Sequence, residues 1–193
     1  LLAESSSMLS KSLARLSSGS KIVSPDDDAA GLAVSQRFDA QINRTQAAKS
    51  NIGNAISFSQ TQDGFLQKVG KALDRMSELS ILSQDVTKSN ADRALYQKEF
   101  STLGTYINNT ATKDFNGVSL FTSNNLSVTT DGDTNGGTSN AFSMSGVNIG
   151  SSTYTTATSG DVSTSTGAAT ALTNVKSAIT QLATDRATVG ASI

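Results

Sequence analysis

Residues 66–79 read LQKVGKALDRMSEL, and the spacing of apolar side chains in this stretch decides the fold class. Apolar residues recur there three and four positions apart, at Leu66, Val69, Leu73, Met76 and Leu79. This spacing places them on one face of an α-helix, where they can pack against other helices. We therefore predict a mainly α fold, an elongated rod of long antiparallel helices in a coiled-coil-like bundle.

The same helix is predicted to run from Pro25 to about Val86, because no further proline and no turn cluster interrupts this span. Ser24 offers an N-cap hydroxyl, and the carboxylates of residues 26–28 suit the positive end of the helix dipole. At about 1.5 Å per residue the helix would be roughly 90 Å long. Interior glycines leave a break near Gly53 open as an alternative. The first half continues the apolar series with Leu32, Phe38, Ile42, Ile52 and Ile56.

Three further stretches carry the same helical spacing. Residues 1–17 form an amphipathic helix that Gly19 ends, and a second helix follows Asn90 as its cap. A last helix ends the chain, with Arg186 interrupting its stripe. The apolar positions are Leu2, Leu9, Leu13 and Leu16 in the first; Tyr96, Phe100, Leu103 and Ile107 in the second; and Leu172, Val175, Ile179, Leu182, Val189 and Ile193 in the last.

Between these helices the composition changes to Ser, Thr, Gly and Asn, with short apolar runs that predict small β-hairpins. The runs are residues 118–121, 126–129, 141–144 and 147–149. This polar segment is expected to lie outside the core. We therefore predict three parts: residues 1–24 as the end of an N-terminal helix and a connector, residues 25–113 with 168–193 as the helical core domain, and residues 114–167 as a β-hairpin region and variable insertion.

Composition argues against catalysis. The chain has His 0 and Cys 0, the side chains that most often act as base, nucleophile or metal ligand near neutral pH. Lys and Arg (15) nearly balance Asp and Glu (16), so no basic surplus favours nucleic acid. No apolar stretch is long enough to span a bilayer, and no signal peptide pattern opens the chain. We predict no enzyme, no cofactor and no membrane insertion; a hydrolase using a carboxylate pair is the weakest alternative.

Two acidic stretches are candidate cation sites with simpler interpretations. Residues 26–28 are consecutive on a helix, so their side chains diverge, and dipole stabilisation is favoured. Residues 131–136 read DGDTNG, but the twelfth position of a calcium loop starting there is Phe142 where Glu is required. A polar turn is favoured at this site.

The sequence also contains candidate glycosylation sites, each with a simpler interpretation. The sequons at Asn43, Asn108 and Asn125 match a short pattern with a high chance rate. The dense hydroxyls of residues 151–166 either accept O-linked sugars or simply solvate a loop.

Residues 13–22 read LARLSSGSKI and residues 27–34 read DDAAGLAV, which together closely resemble the N-terminal signature of bacterial flagellins. LDRMSEL at residues 73–79 is similar to the long-helix segment of that family, and FNGV at residues 115–118 to its turn into the first hairpin. The resemblance covers about residues 1–121. The last helix resembles the returning core helix of the family by its periodicity.

The resemblance implies a structural subunit that polymerises into the bacterial flagellar filament for motility. It implies export through the flagellar type III apparatus, location in the extracellular flagellum, and contacts with flagellar export and cap proteins. Self-association would use terminal coiled-coil segments. Because apolar seams reach Leu2 and Ile193 unfinished, we expect most of that coiled coil to be missing and this chain to be monomeric by itself.

The resemblance also carries over a candidate epitope for the animal Toll-like receptor for flagellin, formed by Arg75, Leu79 and Glu99. The same residues fit a structural interpretation, with Leu79 in the helix packing and Arg75 in an exposed ion pair. An alternative function is a flagellin-like cell-surface or hook-filament junction protein, whose insertion binds a polysaccharide or a host receptor.

Overall fold

The computed structural model describes residues 1–18, 28–135 and 138–193. Its helices are α1 (Leu2–Ser18), α2 (Ala29–Leu82), α3 (Asn90–Thr110), α4 (Ser152–Thr158) and α5 (Ser165–Ala191). Its strands are β1 (Asp114–Phe115), β2 (Val118–Ser119), β3 (Leu126–Asn135) and β4 (Thr138–Met144). The prediction of a mainly α chain with small β-hairpins is confirmed.

The chain divides into two compact units, Leu1–Ser50 with Thr130–Asn140 and Asn51–Thr129 with Ala141–Ile193. The first unit contains α1 and the beginning of α2, and the second contains the rest of α2, helices α3, α4 and α5, and the β1–β2 pair. The predicted division into three parts stays a prediction.

In the first unit, Asp28 determines where α2 begins. Its carboxylate Oδ1 accepts the N–H of Gly31 at 2.9 Å, and its carbonyl accepts the N–H of Leu32. These are the hydrogen bonds of an N-cap residue, so α2 begins at Ala29 and the predicted start at Pro25 is wrong. Ser24, and the predicted stop of α1 at Gly19, lie outside the described residues.

In the second unit, the core is built around the stripe that the sequence pattern singled out. All five apolar residues of that stripe, from Leu66 to Leu79, are 0% exposed, which confirms their predicted packing role. α2 also runs through Gly53 without interruption, so the alternative of a break there is excluded. The stripe shares one hydrophobic cluster with Phe100 and Ile107 of α3 and Val175, Ala178, Leu182 and Val189 of α5.

The buried face of α5 differs in detail from the predicted one. Val175, Leu182 and Val189 are buried as expected, but Leu172 and Ile179 are only partly buried. Ile179 still packs against the core, but small alanines occupy the fully buried positions beside the predicted ones. Asp185, rather than Arg186, is the charged residue on the buried face. The observed series is Ala168, Ala171, Val175, Ala178, Leu182, Asp185 and Val189.

Asp185 is buried together with two neutral donors. The hydroxyl of Tyr154 in α4 donates to its Oδ2, and the amide of Gln181 donates to its Oδ1 at 2.9 Å. Burial raises the pKa of Tyr154, and the hydrogen bond to the carboxylate adds to the rise. The phenol therefore stays protonated as a donor, and it ties α4 to α5.

The turn from α2 to α3 is held by polar side chains. Ser89 caps α3 through the N–H of Asp92, and Asp92 accepts the N–H of Ser89 in return, which makes a capping box. The predicted cap, Asn90, is instead the first helical residue. The pKa of Asp92 is lowered chiefly by the hydrogen bond from the backbone N–H of Ser89.

The buried side chain of Arg93 also stabilises the turn between α2 and α3. Its guanidinium donates from Nε to the carbonyl of Ser83 at 2.6 Å and from Nη2 to the carbonyl of Asp85 at 2.9 Å. Its Nη1 also donates to Oδ1 of Asn90 at 2.9 Å. A cation is favourable at a helix C-terminus, where carbonyl groups lack intrahelical partners. Arg93 is consequently buried, although it is charged.

Strands β1 and β2 form the hairpin that follows α3. Phe115 pairs with Val118 across a two-residue turn, and Asn116 and Gly117 have φ angles of 52° and 81°. Positive φ at both positions is the requirement of a type I′ turn, which Asn-Gly meets best.

The segment from the end of β4 to α5 contradicts the expectation of a polar part outside the core. Met144, Val147, Ile149, Tyr154 and Val162 are buried in the main hydrophobic cluster. The predicted strand at residues 147–149 is absent, and residues 152–158 form the unpredicted helix α4. The contribution of this segment to the core could not be predicted from the sequence, because its few apolar residues follow no regular helical or strand spacing.

Gly104 sets how closely α3 and α4 approach. A Cβ built on Gly104 would lie 2.6 Å from the carbonyl oxygen of Thr158, whereas a Cβ on Gly64 of α2 would meet nothing within 4 Å. Gln97 also accepts the N–H of Val162 at 2.7 Å, which fixes the loop after α4 on α3.

These two glycines give opposite predictions for the same substitution. Gly104→Ala is expected to destabilise the chain by about 1–3 kcal/mol through overpacking, and Gly64→Ala to stabilise it by up to about 1 kcal/mol through helix propensity. Urea unfolding followed by circular dichroism measures both. Equal effects of the two substitutions would contradict the close approach of α3 and α4.

Candidate functional site

The charged candidates from the sequence meet on the exposed side of the α2 and α3 pair. Arg75 of α2 donates from Nε to Oε1 of Glu99 of α3 at 2.7 Å and from Nη2 to Oε2 at 3.1 Å. Its Nη1 donates to Oε2 of Glu78 at 3.0 Å. A two-point contact of this kind fixes the geometry of a guanidinium against a carboxylate.

The pair remains accessible to solvent. The side chains of Arg75 and Glu99 are 41% and 44% exposed. The hydrogen bonds from Arg75 lower the pKa of Glu99, and those bonds in turn raise the pKa of Arg75. Both groups are therefore charged at neutral pH and present a compact polar feature.

Leu79 has a different environment from its two predicted companions. It is 0% exposed and belongs to the main hydrophobic cluster. The structure thus brings Arg75 and Glu99 together but places Leu79 beneath the surface. Ser80, its neighbour, is also buried, and its hydroxyl donates to the carbonyl of Met76 at 2.8 Å.

An apolar stripe of the first unit lies on the beginning of α2. Val34, Phe38 and Ile42 follow one another at four-residue steps and are 39%, 60% and 54% exposed. Residues spaced in this way share one helix face. Large apolar side chains that are contiguous and exposed are typical of an interaction surface. In α1, Leu2, Met8 and Leu9 are also exposed.

A second apolar patch, in the second unit, surrounds the turn between α2 and α3. Ile81, Val86 and Leu95 are exposed there, Val86 most of all. Arg93 was not foreseen from the sequence, yet it holds this turn through the carbonyls of Ser83 and Asp85. In the sequence, the only indication of this role was the position of Arg93 in the first turn of α3, and an arginine at such a position is too common to predict a buried contact.

A groove of about 500 Å³ in the second unit lies between α2 and the strands. Its apolar lining includes Phe58, Phe115, Leu126 and Met144, and Asn51 is among its polar residues. None of its lining residues is titratable, so the groove offers no acid or base for catalysis.

The candidate cation ligands have other partners in the part of the chain that the structure describes. Asp28 caps α2, and Asp131 accepts a hydrogen bond from the amide of Asn140 at 2.9 Å. Residues 131–135 belong to β3, so the predicted polar turn is wrong there. Residues 26–27 lie outside the described residues, among which no group of three or more acidic, His or Cys side chains is placed to hold a metal.

The candidate sequons contribute to the fold in two of three cases. Oδ1 of Asn108 accepts the hydroxyl of Thr158 at 3.0 Å, and Oδ1 of Asn125 accepts the N–H of Gly146 at 3.0 Å. Asn43 is exposed on α2. Sugar attachment to the hydroxyls of residues 151–166 stays a prediction.

None of the helices within the described residues is long and apolar enough to cross a membrane. The main features of the described surface are the exposed ion pair between Arg75 and Glu99 and the exposed apolar faces of α1 and α2.

A comparison with family models matches residues 1–126 to the N-terminal helical region of bacterial flagellin. The chain belongs to the bacterial flagellin family. The match includes α1, α2, α3 and the β1–β2 hairpin, and it ends at the first residue of β3.

Curated flagellins give the same result. The chain is 40% identical over 110 residues to Flagellin E of Vibrio cholerae, an alignment that covers 57% of this chain and 29% of that protein. It is 41% identical over 115 residues to flagellar filament core protein flaB2 of Brachyspira hyodysenteriae, covering 59% and 40%. It is 45% identical over 103 residues to the flagellar filament 41 kDa core protein of Borreliella burgdorferi, covering 53% and 31%. The chain thus spans less than half the length of these flagellins.

The ion pair makes a direct prediction for the pKa of Glu99. Removing its partner with Arg75→Ala should raise that pKa towards the ordinary value of 4.5, because the hydrogen bonds from Arg75 are the main cause of its lowering. A depressed folded-state pKa stabilises the fold above the unfolded value, and this contribution is lost as the pH falls through the lowered pKa. An NMR titration of the Glu99 carboxyl carbon measures the change.

The control for this titration is Glu78→Gln, which removes the second partner of Arg75 and should leave the pKa of Glu99 low. An unchanged pKa in Arg75→Ala would show that the ion pair does not form in solution.

Proposed function

We propose that this chain is the helical core of a structural subunit that polymerises into the bacterial flagellar filament. The observation that carries the proposal is the family match over residues 1–126. The filament core names of relatives from Brachyspira hyodysenteriae and Borreliella burgdorferi agree with it. The role is structural and non-catalytic.

Exposed apolar faces on α1 and α2 support self-association. Leu2, Met8 and Leu9 of α1 and Phe38 and Ile42 of α2 are more than half exposed. Each large apolar side chain that moves from water into a protein contact contributes about 1.5–3 kcal/mol. Neighbouring subunits supply such contacts through a heterologous interface, which gives an open helical filament when the rotation between subunits does not close into a ring.

The alternative was a flagellin-like surface or hook-filament junction protein that binds a polysaccharide or host receptor through the insertion. The names of the matched relatives favour the filament subunit. The insertion also contributes Tyr154 and Val162 to the core, which leaves less of it available for binding.

The remaining parts of the proposal follow from membership of the family. We expect location in the extracellular flagellum, export through the flagellar type III apparatus, and contacts with export and cap proteins. These partners would act on the flagellin that contains this sequence.

The assembly proposal predicts the effect of charge on the apolar stripe. In a chimera that carries residues 1–126 in place of the matched segment of a filament-forming flagellin, Phe38→Asp with Ile42→Asp should abolish filaments. Two carboxylates cannot be buried unpaired in a subunit contact. Negative-stain electron microscopy of sheared cell-surface material and a swimming assay measure the outcome.

The matched control is Asn43→Asp, which adds a carboxylate next to the stripe at an exposed position of the same helix. It should retain filaments. If the unmodified chimera makes no filaments while its soluble subunit is folded and exported, the filament proposal is wrong. If the stripe variant also assembles, the contacts lie elsewhere on the chain.

We infer as a second function that the Arg75 and Glu99 pair is seen by the animal Toll-like receptor for flagellin. Support comes from the exposure of both charged side chains and their fixed two-point geometry. Leu79 would act only by packing beneath them, because it is fully buried.

A reporter cell line that expresses the receptor tests this inference. The chain should activate it, and Arg75→Glu should lower activation at least about tenfold, as expected for a charged contact at an interface. Lys71→Glu, an exposed charge reversal one turn earlier on α2, is the control and should remain active. Equal activation by all three proteins would show that the pair is not an epitope.

A further inference from the structure

The beginning of α2 buries little surface of its own. Between residues 29 and 50, Ala48 is buried, Gly31, Leu32 and Gln41 are partly buried, and the other residues are exposed. Most helical stability in proteins comes from packing of an apolar face rather than from propensity. Something other than a hydrophobic core must therefore hold this part of the helix in the single chain.

Gly132 of β3 makes a contact with α2 that can hold this part of the helix. Nε of Arg44 donates a hydrogen bond to the carbonyl oxygen of Gly132 at 2.7 Å. This donor is charged, and hydrogen bonds from charged donors are stronger than neutral ones.

Strand and helix touch at this point through their backbones. A Cβ built on Gly132 would lie 2.6 Å from the carbonyl carbon of Arg44 and 2.7 Å from the backbone nitrogen of Thr45. No side chain larger than hydrogen fits without displacing one of the two segments. The role of Gly132 is thus to permit close approach.

The neighbouring strand supports the contact. The amide of Asn140 in β4 donates to Oδ2 of Asp131 at 2.9 Å, next to Gly132. This side-chain bond links the two strands beside the position where β3 meets the helix.

We propose that Asp131 and Gly132, together with Asn140, form an intramolecular brace that holds the beginning of α2 helical in the free chain. Gln41, Arg44 and Ala48 are spaced three and four residues apart, so they share one side of the helix. The partial or full burial of Gln41 and Ala48 agrees with a contact on that side. Val34, Phe38 and Ile42 stay exposed beside it.

The brace goes beyond the proposed filament function and does not depend on it, because it is a property of a single chain. Its strand residues lie after residue 126, where the match to the flagellin family model ends. It is therefore supplied by the part of the chain that the family model does not cover.

Hydrogen–deuterium exchange with mass spectrometry on the 193-residue chain tests the brace. Arg44→Ala and Gly132→Ala should each speed exchange in peptides from residues 33–48 about tenfold or more, as the loss of a charged hydrogen bond predicts. Peptides from residues 66–79 should be unchanged, because they lie in the packed core.

Arg37→Ala is the matched control, since Arg37 is exposed on the same part of α2 and carries the same charge. It should exchange like the unmodified chain. If Arg44→Ala and Arg37→Ala exchange equally, the helix is held only by its continuity with the packed half, and the brace is overturned.

The double variant Arg44→Ala with Gly132→Ala tests whether the two single substitutions break the same contact, or whether Gly132→Ala acts separately by disrupting the strand. If both substitutions break one contact, their combined effect should be clearly smaller than the product of the two separate effects. A fully multiplicative effect would mean that they act independently, which would also overturn the brace.

Discussion

The burial of the α2 stripe in one hydrophobic cluster with α3 and α5 is the interaction on which the second unit depends. Leu66, Leu73 and Met76 are excluded from solvent, and each contributes about 1.5–3 kcal/mol relative to an exposed position. Alanines on the buried face of α5 belong to the same closely packed cluster. Gly70 of α2 lies close to α5 in this core, because a Cβ built on it would be 3.3 Å from Cδ2 of Leu182.

Polar groups determine how the chain returns around this core. Arg93 donates to the carbonyls of Ser83 and Asp85 just after α2 ends, and the capping box of Ser89 and Asp92 then starts α3. Tyr154 and Asp185 join α4 to α5 in a buried site where an unpaired hydroxyl or carboxylate would be costly. These hydrogen bonds have fixed directions, so they specify one arrangement where apolar contact alone would allow several.

A single helix, α2, serves two different purposes along its length. Its apolar stripe from Leu66 to Leu79 is buried within the chain, whereas Phe38 and Ile42 near its beginning remain in water. That exposed part carries the contiguous apolar surface on which the proposed assembly rests. A subunit that polymerises needs such faces on the isolated chain, and their cost is offset only in the polymer.

Much of the architecture follows from the sequence by itself. The three- and four-residue spacing from Leu66 to Leu79 predicts the buried face of α2, and Asn116 with Gly117 suits the tight hairpin, because both signals are local. The charged residues Arg75 and Glu99 could also be selected from the sequence, through its resemblance to flagellins. Only the tertiary structure decided that Asp185 and small alanines occupy the buried face of α5, and that the hydroxyl-rich residues 152–158 form a helix. These outcomes depend on partners distant in the chain, such as Tyr154 for Asp185, and a local period carries no information about which distant side chain will satisfy a buried group.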